Sequence, residues 1–327
     1  MTSLFIPRRA SIADGHLHFL CDGGFLAALR DGCFALRIPE EFNLGPAVKL
    51  AREFYLELGP KKPSLDVSYR GFRQKADIYF DRDHFQTEHI LIDTPRRKVE
   101  FPPAVNVVCE QMYELARIVL REILSSIGVA RPLWNRVTDR CVERGGVQWF
   151  AVNHYRPERA QVGAPAHKDT GFVTILYCEQ PGLEASLDGE WRGIEPVEGH
   201  FLVNFGGALE VLTKHLPIKV DAVLHRVMQC AVNPHREDRF SFAAFLNPSA
   251  DGDLYQVSAD GATASNAGSV EAFLREFNKE TWRDDYAGFG ITKSSVDFSN
   301  EKNSTRMNYE LSAEADKAHV IKLFDAT

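Results

Sequence analysis

The sequence predicts a mainly β protein with flanking helices, its centre a sandwich, barrel or jelly roll. Three observations predict it. From about residue 146 short runs rich in Val, Phe, Ile and Leu follow one another, bounded by Gly, Pro, Asp and Asn. "LDGEW" sets Asp-Gly between apolar flanks, the strongest short hairpin signal. On either side of this stretch the apolar spacing changes to that of helices.

The elements follow in order. "FLAALRDGCFALRIP" reads as a short helix, a turn at Asp31-Gly32 and a strand through Phe34 and Leu36. "GPAVKLAREFYLEL" reads as a second helix. The clearest helix runs from about Pro102 to Ser126. Val108, Met112, Leu115, Val119 and Ile123 recur at the helical period, prolines open it and Gly128 follows it. "VQWFAVNHY", "GFVTILYC", "LEASLDGEWRGIEP", "GHFLVNFG", "AVLHRVMQCAV" and "RFSFAAFLN" then read as strands. "SVEAFLREFNKETW" and the tail from about Tyr309 return to helical texture. No repeat or linker divides the 327 residues, so one domain is expected. Its parts are a mixed stretch over 1–145, a β core over 146–248 and a helical part over 249–327.

Composition excludes several functions. A net charge of −7 argues against a nucleic-acid partner, which would call for a basic face. No apolar run approaches a membrane span, and the N-terminus shows no secretory pattern. The six scattered cysteines, with no CxxC pair, suit reduced thiols of a cytoplasmic protein. No obligate protein partner is evident, and no G-x-S-x-G or phosphate loop occurs.

The polar residues that break the apolar strands are more informative. In "APAHKDTGFVTIL", His167 and Asp169 stand two apart at a strand edge, where i and i+2 share a face. Taken by itself, a surface turn with two solvated side chains accounts for the pair better. His225, set in "AVLHRVMQ", is by itself a hydrogen-bonded core histidine. Together, two imidazoles and a carboxylate form the facial triad of non-haem Fe(II) oxygenases, which leaves three coordination positions open. Arg239 and Ser241 share one face of "RFSFAAF". A planar guanidinium facing inward calls for a carboxylate, although a strand-edge arginine can also reach water. His16, His18, His154, His200, His215 and His235 are other possible ligands, of which His16 and His18 read as surface and His200 and His215 as turn residues. His154 should face away from its neighbours Asn153 and Tyr155.

The order of these pieces resembles the isopenicillin N synthase-like group of Fe(II)/2-oxoglutarate-dependent dioxygenases. "NHYRP" resembles its Asn-x-Tyr-x-Pro, and "HKDTGFVTIL" its His-Thr-Asp segment and following strand. "GHFLVNFG", "KVDAVLHRV" and "RFSFAAF" resemble its Val-Asn-x-Gly, distal-histidine and Arg-x-Ser segments. The resemblance implies a double-stranded β-helix, or jelly-roll, core with Fe(II) held by His167, Asp169 and His225. It implies that Arg239 and Ser241 take the far carboxylate of 2-oxoglutarate, with Tyr155 and Asn153 beside it. The implied chemistry consumes O2 and 2-oxoglutarate, releases succinate and CO2, and oxidises a small-molecule substrate; ascorbate is a candidate reductant. "YRGFRQ" resembles the segment over the iron, which makes Arg70 and Arg73 candidate substrate contacts. Residues past about 290 are a candidate lid.

Three departures stand out. Lys168 replaces the usual Thr and should point away from the metal. Gly207 stands where the family has Asp. The connection from His225 to Arg239 is long, as in antibiotic-pathway members resembling deacetoxycephalosporin C synthase, and Arg236 is a nearby alternative clamp. An oxidase of the same fold without 2-oxoglutarate, and a jelly-roll binding protein with a degenerate site, are the rival readings.

Overall fold

The computed structural model describes residues 3–58, 68–232 and 238–281. Its elements begin with β1 (Leu4–Phe5), β2 (Arg9–Ala13), β3 (His16–Phe19), α1 (Gly24–Asp31), β4 (Cys33–Arg37) and α2 (Gly45–Glu53). Next come β5 (Tyr79–Asp81), β6 (Thr87–Asp93), α3 (Thr94–Glu100), α4 (Pro103–Ser126) and α5 (Trp134–Val137). The central strands are β7 (Val147–Tyr155), β8 (Ala164–His167), β9 (Val173–Tyr177), β10 (Leu183–Leu187), β11 (Glu190–Ile194) and β12 (His200–Phe205). The rest are α6 (Gly207–Thr213), β13 (His225–Val227), β14 (Phe240–Asn247), β15 (Asp253–Val257), β16 (Ala264–Ser269) and α7 (Val270–Thr281).

Two sheets build the jelly roll. The larger runs β3-β2-β4-β12-β9-β14-β7-β6-β5, and the smaller β1-β11-β10-β13-β8. All pairs are antiparallel except β1 with β11 and β2 with β4. The β10–β11 hairpin turns at Asp188 and Gly189, both at positive φ (53° and 80°), the conformation that the Asp-Gly pair favours.

Strand parity separates two environments. On β7 and β14 one set of side chains, Phe150, Val152, Phe242, Ala244 and Leu246, is buried with the Val105-to-Leu124 face of α4 in one apolar core. The opposite set, Trp149, Ala151, Asn153, Tyr155, Arg239, Ser241, Ala243 and Phe245, lines a cavity. Alternation with a period of two makes this division inevitable once one face packs on a helix.

The larger sheet extends beyond the β core expected over 146–248. β2 to β6 lie before residue 146, yet they supply five of the nine strands of the larger sheet. β4 is the strand expected through Phe34 and Leu36, whereas β2, β3, β5 and β6 are short or interrupted by polar residues such as Glu88 and His89, so their apolar alternation is weak. The β15–β16 hairpin likewise falls within the stretch read as helical. The expected strand over "AVLHRVMQCAV" shrinks to His225–Val227. All described residues belong to one unit, Met1–Gly290. The lid expected past 290, the helical tail from Tyr309, Arg236 and His235 lie outside the described residues. Among the described residues no helix is long and apolar enough to cross a membrane. All six cysteines are free thiols.

Candidate active site

The cavity between the sheets encloses about 1120 Å³, its open mouth included. β8 carries His167 to the cavity, and the turn after it presents Asp169. His225 opens β13 directly opposite, the register partner of His167. Their rings lie 4.4 Å apart. His167 Nε2 is 3.9 Å and His225 Nε2 3.8 Å from Asp169 Oδ1. A ligand atom from each of the three lies within 4.8 Å of the others, the one such cluster of metal-binding side chains among the described residues.

The local bonding suits a metal. His167 Nδ1 lies 2.8 Å from Pro165 O, and His225 Nδ1 3.1 Å from Val223 O. A proton on Nδ1 donates to each carbonyl and leaves the Nε2 lone pair free for a cation. Burial, and then the neighbouring His225, hold the His167 imidazole below its ordinary value, partly opposed by Asp169, so it is neutral near pH 7. Asp169 Oδ2 is buried with no hydrogen-bond partner. A buried orphan carboxylate oxygen is costly, and a bound cation would satisfy it. Two imidazoles and one carboxylate are the donor set of an Fe(II) site with open positions. Lys168 meets Glu210 at 2.8 Å and is absent from the cavity wall, as expected for the non-ligand residue of the motif.

Arg239 lies in the same cavity, 5% exposed. Its Nε donates to Pro181 O over 3.2 Å, its guanidinium sits 4.4 Å over the Tyr155 ring, and its Nη1 has no partner. Asn153 Nδ2 donates to Ser241 Oγ across the β7–β14 pair over 3.2 Å. The four residues expected around a cosubstrate are therefore brought together. The two expected around a substrate are not. Arg70 pairs with Glu53 at 2.8 Å and Arg73 with Glu88 at 2.6 Å, and neither lines the cavity. His154 faces the other side of the sheet, as its parity requires.

The family's Asp position, occupied here by Gly207, has a physical reason. The Gly207 N–H donates to Asp169 O over 2.7 Å, and a Cβ on it would stand 2.7 Å from Phe273 Cζ. A side chain there would have to displace the tip of the Phe273 ring on α7.

Several cavity residues escaped the sequence reading: Phe80, Thr87 and His89 from the N-terminal strands, and Trp149, Phe245 and Asn204. Extending the Arg239–Ser241 face by two more alternations would have reached Phe245, and extending Asn153 backward, Trp149. Asn204 in "VNFG" carried no such signal.

Residues 146–248 match the family model of the 2OG-Fe(II) oxygenase superfamily. The matched stretch takes in all three residues of the His167–Asp169–His225 cluster and Arg239. The chain is 28% identical to Protein DMR6-LIKE OXYGENASE 2 of Arabidopsis thaliana, over 75% of this chain and 70% of that protein. It is 27% identical to Flavanone 3-dioxygenase 2 of Oryza sativa subsp. japonica, over 76% and 73%. Among solved structures it resembles a full-length Neurospora crassa protein in complex with alpha-KG and thymine, with a TM-score of 0.58, 18% identity and coverage of 85% and 98%. It also resembles the auxin-oxidising dioxygenase AtDAO1 of Arabidopsis thaliana in complex with 2-oxoglutarate, with a TM-score of 0.53, 20% identity and coverage of 79% and 100%. At these identities the structural likeness is one of fold.

Proposed function

We propose that this chain is an Fe(II)- and 2-oxoglutarate-dependent dioxygenase that oxidises a C–H bond of a small molecule by hydroxylation, desaturation or ring formation. One observation carries the reading: a single cavity holds both the His167–Asp169–His225 cluster and a buried guanidinium whose Nη1 lacks a partner. In this assignment the three residues hold Fe(II). Arg239 and Ser241 bind the far carboxylate of 2-oxoglutarate. Asn153 orients the Ser241 hydroxyl, and Tyr155 supports the guanidinium face. The iron, when bound, supplies O2 activation coupled to cosubstrate decarboxylation. The chain's own contribution is to fix both carboxylate-binding groups before the cosubstrate arrives and to surround the reacting C–H with apolar walls.

Phe80, Leu91, Trp149, Leu176, Phe245 and Phe277 leave room for a flat, largely apolar substrate. The buried Asn204 Oδ1, without a partner, offers it one hydrogen-bond acceptor. Relatives named as flavanone 3-dioxygenase and thebaine 6-O-demethylase support a place in specialised metabolism, and the scattered free cysteines suit the cytoplasm. A role in an antibiotic pathway rests on the length of the His225–Arg239 connection.

The test is anaerobic addition of Fe(II) and 2-oxoglutarate. A weak visible charge-transfer band is expected, followed in air by succinate formation that a substrate stimulates. Substrate oxidation without 2-oxoglutarate would favour an oxidase of the same fold. Failure to bind Fe(II), with no change on His225→Ala, would favour a binding protein.

A further inference from the structure

We propose that His154 is a positioning residue that sets the 2-oxoglutarate clamp from the opposite face of the sheet. This rests on the cosubstrate assignment above. His154 lies between Asn153 and Tyr155 on β7, so its ring points away from the cavity that they line. The ring is held on three sides. Its Nδ1 lies 2.8 Å from Glu88 Oε1 and its Nε2 3.0 Å from Asp238 Oδ2. The Tyr55 ring stacks on it at 3.7 Å, only 6° from parallel.

Glu88 is the fixed end of this chain. It is fully buried and also accepts from Arg73, at 2.6 and 2.8 Å, and from Tyr79 at 2.5 Å. Burial alone would raise its carboxyl, but these donors, His154 first, hold it down at about 2. Asp238 is the held end. It directly precedes Arg239, and Phe240, the register partner of His154, directly follows Arg239. The Tyr155 N–H donates to Arg239 O over 3.0 Å. Arg239 is thus fastened through its own carbonyl and through the side chain of the residue before it.

Asp238 thus ties the start of β14 to the far face of the sheet through a side chain, beside the ladder pairing of Phe240 with His154. The imidazole can serve both carboxylates at once only with a proton on each nitrogen. The charged and titratable groups facing it are Glu88, Asp238 and Tyr55, with Arg73 and Tyr79 reaching it through Glu88. Loss of either ring contact would release one carboxylate and loosen the approach to Arg239. A small displacement of a positioning group is enough to cost a large factor in binding or rate.

The test is anaerobic titration of the Fe(II)-loaded full chain with 2-oxoglutarate, followed by the charge-transfer band, for wild type, His154→Gln, Asp238→Asn and the double variant. Each single variant is expected to weaken 2-oxoglutarate binding by about tenfold while Fe(II) affinity stays within about twofold. The double variant should be no weaker than either single one, because both break one chain. Unchanged 2-oxoglutarate affinity in the variants, beside a normal wild-type titration, overturns the proposal. So does equal loss of Fe(II) and 2-oxoglutarate with additive effects, which would mark a merely structural cluster. If His154→Gln fails to fold, Asp238→Asn decides alone, since Asp238 is partly exposed. Absence of any wild-type band would instead sink the cosubstrate assignment itself.

Discussion

His167 and His225 are register partners across the β8–β13 pair, and each places its Nε2 within 4 Å of the same Asp169 oxygen. The β-ladder thus aligns two imidazoles from distant parts of the chain, and the turn after β8 closes the triangle. Each Nδ1 is tied to the carbonyl two residues earlier in the chain. Neither ring can turn its Nε2 away without breaking that bond.

Metal should therefore stabilise the fold measurably. Fe(II) at about 100 times its Kd adds about 2.7 kcal/mol by mass action, which raises Tm by about 4 °C in a chain of this size. Anaerobic thermal melts with Fe(II) and with a chelator should differ by that amount. Asp169→Ala should abolish the difference while leaving the chelated protein as stable as wild type or more so, because its orphan carboxylate oxygen is gone. A difference that survives Asp169→Ala would place the metal elsewhere.

Replacing Arg239 by Met should separate binding from stability. The guanidinium is buried among Tyr155, Pro181 and apolar neighbours with Nη1 unsatisfied. An apolar side chain of similar length relieves that desolvation, so the cosubstrate-free protein should be unchanged or about 1 kcal/mol more stable to urea. Binding of 2-oxoglutarate should weaken by about 100-fold or more, with Fe(II) affinity retained. Arg236→Ala should do neither. If Arg236→Ala abolishes binding instead, the clamp is misassigned.

What the sequence revealed follows from where the chemistry breaks the apolar pattern. His225 and Arg239 were visible because each interrupts a strand whose other residues are apolar. Asp188-Gly189 was visible because its turn needs positive φ. β5 and β6 were not, because Glu88 and His89 face different partners across a sheet edge that the one-dimensional pattern cannot show. The pairing of β6 with β7 puts Thr87 opposite Tyr155 and His89 opposite Asn153, so a large part of the cavity wall comes from long-range register. Arg73 shows the converse. Its place in "YRGFRQ" suggested substrate, yet its guanidinium is engaged by Glu88, a partner revealed only by three-dimensional packing.

Two glycines behind the metal turn should differ sharply. In Gly171→Ala the new Cβ would meet Asn247 Oδ1 at 1.8 Å and the Leu246 carbonyl at 2.7 Å, and the backbone oxygen cannot yield cheaply. A loss of about 3 kcal/mol is expected. In Gly207→Ala the obstacle is the tip of the Phe273 ring, which can swing, and the helix gains propensity, so the loss should be about 1 kcal/mol or less. Urea midpoints of the metal-free proteins test the order; equal losses would mean that the packing around Gly171 relaxes.

His89 should give the protein an acid-side weakness above the carboxylate range. Burial, and then the nearby Arg82, push its imidazole down to about 3 from an ordinary 6.5. Between those values the unfolded chain binds a proton at this residue that the folded chain refuses. Stability at this residue is therefore complete above about 6.5 and declines as pH falls towards 3, by up to about 1.36 kcal/mol per pH unit. From pH 7.5 to 5 the expected loss is about 2 kcal/mol from His89, and His167, displaced the same way, adds to it. Glu88 takes no part in that window, because its donors hold it ionised down to about 2 and its unfolded value is 4.5. His89→Gln should flatten the urea-stability profile between pH 7.5 and 5 while leaving the steeper fall below about pH 4.5. An unchanged slope would mean that His89 is protonated inside the folded cavity, which would add a cation to the wall beside Arg82 and favour an anionic substrate over a neutral one.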